Sequence, residues 1–423
     1  MTLHRRQLLA LAGLSAGLSA LGGCATPSPA IVESAQGWAG VGNTTGGAKA
    51  IPQHIFDVHD RAGLNVALRL GDKPKIIRIH AFIDLCPGGV EAFRDPEFSF
   101  DAFDHAYDPA TWGRDDPKGP LEDARKRSAQ RQAAVSIVRL PSNTTLLGAA
   151  PGAGFQHGMV LLDKVSNIVI RDLRFSDAYD HFPGWEPRDN VHGEWNSEYD
   201  ALSLRGAERV WVDHCLFDDG KHPDKLEPIR LGQRVQHHDG LLDITNGSDL
   251  VTVSWCRFQA HDKTMLIGNS DSLTSDTGKL RVTLHHNHFH ACKERSPRVR
   301  YGRVHVVGNL FTADRAEEFG YSLGVGVQSH LFSEHNRWEL PAEIGADRLI
   351  RRWKGTAFVD TGSRLNGRPV DILAAWRASH PGETLSPDVG WRPDEAYDAA
   401  ALRPQQPDQL AEQIRAGAGP RRA

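Results

Sequence analysis

Three aspartates, Asp200, Asp239 and Asp243, lie in two charge-rich segments, GEWNSEYDALSLRG and HHDGLLDITNGSD. Asp239 and Asp243 are an even number of residues apart, so in a regular strand both side chains leave from one face. With Asp200 contributed by the preceding coil, three carboxylates converge. Hard oxygen donors of this kind, without the Cys or His spacing of a zinc site, suit calcium. A lone Asp is more often a turn or capping residue, so the reading depends on a fold that brings the three together. The same region carries cations: Lys263 in HDK, and Arg295, Arg298 and Arg300 in ERSPRVR. These three arginines cannot all share one strand face, and Arg298 is read as the one on a solvated surface. Histidines are frequent too. His214 and His286 fall at one repeat position and are read as stacking residues, whereas His237, His238 and His261 are read as lining a cleft.

Such a constellation needs a scaffold, and an internal repeat supplies it. Aromatic residues recur at Phe175, Phe217, Phe258, Phe289, Phe311 and Trp338, with separations of 42, 41, 31, 22 and 27. Two residues before each stand Leu173, Cys215, Cys256, Asn287, Asn309 and Asn336. Five before stand Ile170, Val212, Val253, Leu284, Val306 and Ser333, and seven before stand Ile168, Val210, Val251, Val282, Val304 and Leu331. The last two columns alternate as in a strand. A repeat this small cannot bury its own apolar face and must stack on its neighbours. A coil of about 22 residues with two or three short strands predicts an all-β parallel β-helix, with equal columns about 4.8 Å apart along the axis. Phe then stacks on Phe, and the Asn amides form a ladder at a turn. Cys215 and Cys256 share a column, which allows either a disulfide or two stacked free thiols.

The 423 residues are 40% apolar and 24% charged with a formal charge of −4, the composition of a large packed core and not of a disordered chain or a generally basic nucleic-acid binder. Residues 1–24 read MTLHRRQLLALAGLSAGLSALGGC: paired arginines, a short apolar run and small residues, the architecture of an export signal. The Leu21-Gly22-Gly23-Cys24 ending suggests a lipoprotein cleavage box, with Cys24 as the lipidated terminus of an exported, secreted or outer-membrane bacterial protein. A Pro/Ser/Gly-rich stretch, residues 25–48, reads as a flexible tether. The β-helix is expected over residues 49–340, and residues 341–423 as a C-terminal extension packing on it.

The VWVDHC segment, Val210 to Cys215, and the ERSPRVR segment, Glu294 to Arg300, resemble the pectate lyases of polysaccharide lyase family one over roughly residues 140–340. KIIRIHAFIDL and PSNTTLLG look like that family's early strands. The resemblance implies a right-handed β-helix and a calcium-dependent β-elimination on polygalacturonate. It also implies Asp200, Asp239 and Asp243 as calcium ligands and Glu198 as a candidate fourth. Arg295 matches the proton-abstracting arginine, and Lys263 and Arg300 match the cations that hold substrate carboxylates, with Lys263 also stabilising the developing charge. A guanidinium is ordinarily always protonated, so the expectation is that calcium, Lys263 and Arg300 lower the Arg295 pKa. The partner is then an acidic polysaccharide, with no nucleic acid, and the protein is expected to act as a monomer. Competing readings are a pectin lyase on methyl-esterified chains, which needs no bridging cation, a hydrolase using Asp213 or Asp218 with Asp219, and a non-catalytic polysaccharide-binding solenoid.

Overall fold

The computed structural model describes residues 34–421. The expected export signal and Cys24 lie outside the described residues. Short strands rich in Val, Ile and Leu pair in parallel with the equivalent strand of the next coil and build three sheets. Sheet I has ten strands, from Ile55–Val58 to Val359–Thr361. Sheet II also has ten, from Phe82–Asp84 to Arg368–Pro369, and sheet III has eight, from Ile137–Arg139 to Ile350–Arg352. The molecule is a right-handed parallel β-helix.

Register follows the repeat columns. Val210, Val212 and Phe217 pair with Ile168, Ile170 and Phe175 on one side and with Val251, Val253 and Phe258 on the other. From Phe175 to Trp338 the rings stack with centroids 4.8–5.0 Å apart and planes within 8° of parallel. The Asn287 side-chain amide donates to Asn309 Oδ1 at 2.9 Å, and that of Asn309 donates to Asn336 Oδ1 at 3.1 Å. This ladder satisfies buried polar groups at the turn between sheets I and II. Cys215 and Cys256 are buried free thiols in the same column, so the disulfide is not formed and the sulfurs behave as small apolar groups.

One position before the Cys/Asn column the backbone adopts left-handed φ in coil after coil: 57° at Asp172, 50° at His214, 50° at Trp255, 56° at His286 and 54° at His335. His214, Trp255 and His286 stack there as rings 5.9 and 4.6 Å apart, which is the structural role read for these histidines.

Three boundaries differ from expectation. Residues 34–48 are not a tether: the helix Gly37–Val41 buries Trp38 and Ala39 against sheet I, where Trp38 N donates to Thr283 Oγ1 and Ala39 N to Thr252 Oγ1. The β-helix also runs past residue 340, because Ile350–Arg352, Val359–Thr361 and Arg364–Leu365 add a further coil. Beyond it the helix Ile372–Ser379 buries Trp376 and Leu373 in the main core. The last helix, Leu410–Gly417, packs Leu410 and Ile414 on Leu310. Finally, the helices Phe100–Ala106 and Pro120–Ser136 pack with the hairpin Gly184–Glu186/Glu194–Asn196 around a second aromatic core, including Phe98, Phe103, Trp185 and Trp195. This excursion stands beside the outer face of sheet III and helps to line a cleft there.

Candidate active site

Asp200, Asp239 and Asp243 converge as expected: one carboxylate oxygen from each lies within 4.8 Å of the others. The route differs from the sequence reading. Only Asp243 is in a strand, Leu242–Thr245 of sheet III. Asp239 lies in the loop before that strand, and its backbone donates to Tyr199 O and accepts from His261 Nε2 at 2.8 Å. His261 also faces Asp219 through Nδ1 at 2.8 Å. Both ring nitrogens thus have a partner. His261 is thus a positioning residue that ties Asp239 to the coil. Its HDK context marked it as cleft-lining, and nothing in the sequence tied it to Asp239.

Gly240 separates the acids, and its backbone N–H donates to Asp200 Oδ1 at 3.0 Å. A Cβ at this position would come within 2.5 Å of Asp243 Oδ1 and 2.9 Å of Asp200 Oδ1, so the cradle requires glycine. Burial and the charge of Asp239 push Asp200 up to about 7. Burial, Asp200 and Asp239 together push Asp243 well above the carboxylate range. Three acids packed this way repel one another unless a proton or a cation sits among them. The donor set, all hard oxygens, fits calcium. Glu198 stands outside this cluster. It is exposed and lines the neighbouring cleft beside Asp180.

The cations come from the next coils. Lys263, at the end of the strand Arg257–Lys263, pairs with Glu294, so it stands beside Arg295. Among the described residues Lys263 has no ion pair or side-chain hydrogen bond. Arg295 has φ of 59°, a conformation that costs a non-glycine residue of order 1 kcal/mol. Burial lowers its pKa, but Glu294, Tyr321, Asp243 and Asp239 outweigh burial and leave the guanidinium above its ordinary value. Lys263 and Arg300 alone do not bring the pKa of Arg295 down. In the metal-free protein the nearby carboxylates dominate.

Arg300 is 8% exposed, with Nε on Asp271 at 2.7 Å and Nη1 on the carbonyls of Gly268 and Asn269. Arg298 is not on a solvated face. It is half-buried, stacks on Trp353 at 4.3 Å and stands on the outer face of sheet III. Burial and the charges of Arg300 and Arg295 lower its pKa to about 10. Arg351 lies over Tyr321 at 4.7 Å. The sequence reading missed Tyr321, Arg351 and Trp353 because they lie in or beside the last two strands of sheet III, for which the aromatic repeat gives no guidance.

The acids of the imagined hydrolase are spoken for. Asp213 is bonded to Arg171, His214 and Ser254, Asp218 to Arg174 and Ser176, and Asp219 to His261.

A family model described as pectate lyase matches residues 120–380. The chain belongs to the pectate lyase family. It is 40% identical over 372 residues to a pectate lyase of Bacillus subtilis, covering 85% of this chain and 87% of that one. Among solved structures, a thermostable pectate lyase superposes with a TM-score of 0.87 at 37% identity, covering 92% of this chain and 99% of that chain. A pectate lyase bound to a hexasaccharide superposes with a TM-score of 0.84 at 37% identity, covering 91% of this chain and 96% of that chain. The enzyme is a polysaccharide lyase.

Proposed function

We propose that this pectate lyase is calcium-dependent and breaks the α-1,4 bonds of polygalacturonate by β-elimination. The convergence of three acids within 4.8 Å, with Arg295 in their field, is the observation that carries the reading. In each sugar the C5 hydrogen lies next to the C6 carboxylate, and its removal adds charge to an anionic group. Asp200, Asp239 and Asp243 would hold the calcium, which supplies positive charge beside that carboxylate. Lys263, free of other partners, binds the same carboxylate; one donor of this kind is typically worth about 3 to 4 kcal/mol in the transition state. Arg295 takes the C5 proton, the electron pair forms the C4–C5 double bond, and the C4–O bond breaks with a proton delivered to the leaving oxygen. Asp239 and Asp243 are two of the groups that hold Arg295 protonated, so their neutralisation by a cation favours the free base. Arg300, held on Asp271, fixes a neighbouring uronate. Glu198 serves the adjoining cleft.

Purified protein incubated with polygalacturonate, with and without a calcium chelator, tests this. Ultraviolet absorbance of the unsaturated product should rise only with calcium. Reducing ends without absorbance would select hydrolysis, and binding without product would select a non-catalytic role. Residues 1–24 support export with Cys24 lipidated, which mass spectrometry of the mature amino terminus checks.

A further inference from the structure

The outer face of sheet III places one residue per coil in a single column. Arg139 pairs with Leu161, Leu161 with Ser203, and Ser203 with Asp243. The register continues through Leu266, which pairs with Arg298, to Gly324 and Arg351. At about 4.8 Å per coil, the column runs in both directions from the metal-binding acids, and its two arms differ in chemistry.

In the arm beyond Asp243, Arg298 and Arg351 stand two coils apart. Gly324 lies between them, and a Cβ there would come within 2.9 Å of Arg298 Cγ, so only glycine leaves the arginine its room. Arg298 stacks on Trp353, and its buried Nε has no acceptor among the described residues. Arg300 and Lys354 flank the strip, both held on Asp271 at 2.7 Å. This arm is cationic with aromatic backing.

The arm beyond Ser203 opens into a cleft of about 870 Å³ between the sheet, the helix Pro120–Ser136 and the hairpin. Seven acidic residues line it against five basic ones. Two of those five, Arg125 and Lys126, share the single charge of Glu122, so the lining as a whole carries a formal excess of two negative charges. The cleft floor is apolar at the half-buried Ile137, which lies over the buried Met159 and Leu161. This negative excess disfavours a run of uronates relative to the cationic arm, whereas a methyl ester removes the charge and offers a methyl group to that floor.

We propose that the groove reads the ester pattern of its substrate directionally: the arm of Arg298 and Arg351 demands free uronates, and the arm of Met159 and Leu161 accepts methyl-esterified ones. The inference rests on the lyase reading above and adds its substrate pattern.

The test is digestion of randomly, partly methyl-esterified pectin, followed by mass-spectrometric sequencing of the oligosaccharides. Methyl esters should be several-fold enriched on one side of the cut and depleted on the other. In the double variant Arg298→Gln/Arg351→Gln, KM for polygalacturonate should rise about tenfold with kcat nearly unchanged, and the asymmetry should fall away. The exposed Arg351→Gln alone should move both readouts in the same direction if the double variant fails to fold. Equal ester content on both sides, or an asymmetry that survives these substitutions, overturns the inference. Activity on polygalacturonate with no ester asymmetry sinks this inference alone; no product from polygalacturonate sinks the lyase reading and this one with it.

Discussion

Asp243 is buried, faces two other carboxylates, and accepts from a backbone donor, Leu266 N, at 2.9 Å. Its folded-state pKa is raised well above the carboxylate range, and that of Asp200 is raised to about 7. A carboxyl group raised on folding binds its proton more tightly in the native state. Its stabilising effect is therefore present below the unfolded pKa near 4 and is lost as pH climbs through the folded value. Metal-free protein should lose thermal stability between about pH 4 and 7, and calcium should restore it at pH 8 by replacing the lost protons. Asp243→Asn removes one buried charge, so its metal-free Tm at pH 8 should exceed that of the wild type by a few degrees, while the calcium-induced rise disappears and activity drops by a factor of about 10³ or more. Thermal melts with and without chelator across this pH range check both signs. Arg295→Lys keeps a cation at the site but changes the group that handles the proton. Turnover should fall by about 10²- to 10⁴-fold, with the calcium midpoint and KM close to wild type. Retained turnover would remove Arg295 from the chemistry.

The turn between sheets I and II decides whether coils stack in register. Its left-handed position costs energy at each non-glycine residue, and the coil recovers it through the rings stacked at that position and the Asn ladder one position on. Asn309 sits mid-ladder, accepting from the backbone and side chain of Asn287 and donating to Asn336 and Leu284 O. Asn309→Ala leaves two buried donors of Asn287 unpaired and should cost roughly 3 kcal/mol, read as a lower denaturation midpoint. These columns were legible because each buried position tolerates few residue types, so Phe, Asn and aliphatics repeat visibly. The acid trio was legible for a similar reason, since three converging carboxylates have few structural uses. The route that brings Asp239 in was hidden, because a loop held by His261 through a backbone carbonyl leaves no residue pattern. Arg298 was misread because strand alternation was applied across 295, 298 and 300, whereas the strand holds only Arg298–Val299. The final coil and the packing of residues 34–48 were hidden too, since Leu365 replaces the aromatic anchor and a Gly/Thr-rich segment has the composition of a linker.

At the scale of the molecule, a solenoid has exposed faces that must be covered, and here both ends of the described chain cover the same one. Trp38 packs on Trp391 at 5.9 Å and on Tyr397 at 5.5 Å, over Phe332 of sheet I. Tyr397 bonds to Thr283 and His305, so the segment near the C-terminus is fastened to the same strands that hold Gly37–Val41. Arg421 reaches Asp172, many coils back along the helix axis. Each strand contacts only its nearest coils, and these straps add interactions that link distant ones, so they should raise the cooperativity of unfolding beyond that of a simple stack. Trp38→Ala removes the shared anchor of both straps. The loss of a buried Trp should lower stability by about 3 to 5 kcal/mol and broaden the denaturant transition. Of the proposed lyase site, Asp243 lies in a strand of sheet III and Asp200, Asp239 and Arg295 lie in the loops that lead into that sheet, not on the sheet I face that the strap covers, so kcat on polygalacturonate at low temperature should stay within about twofold of wild type. A sharp transition at a reduced midpoint would mean that the coils are coupled by their own stacking and that the straps add stability without cooperativity. A large fall in kcat would mean that the sheet I face and the groove are mechanically linked.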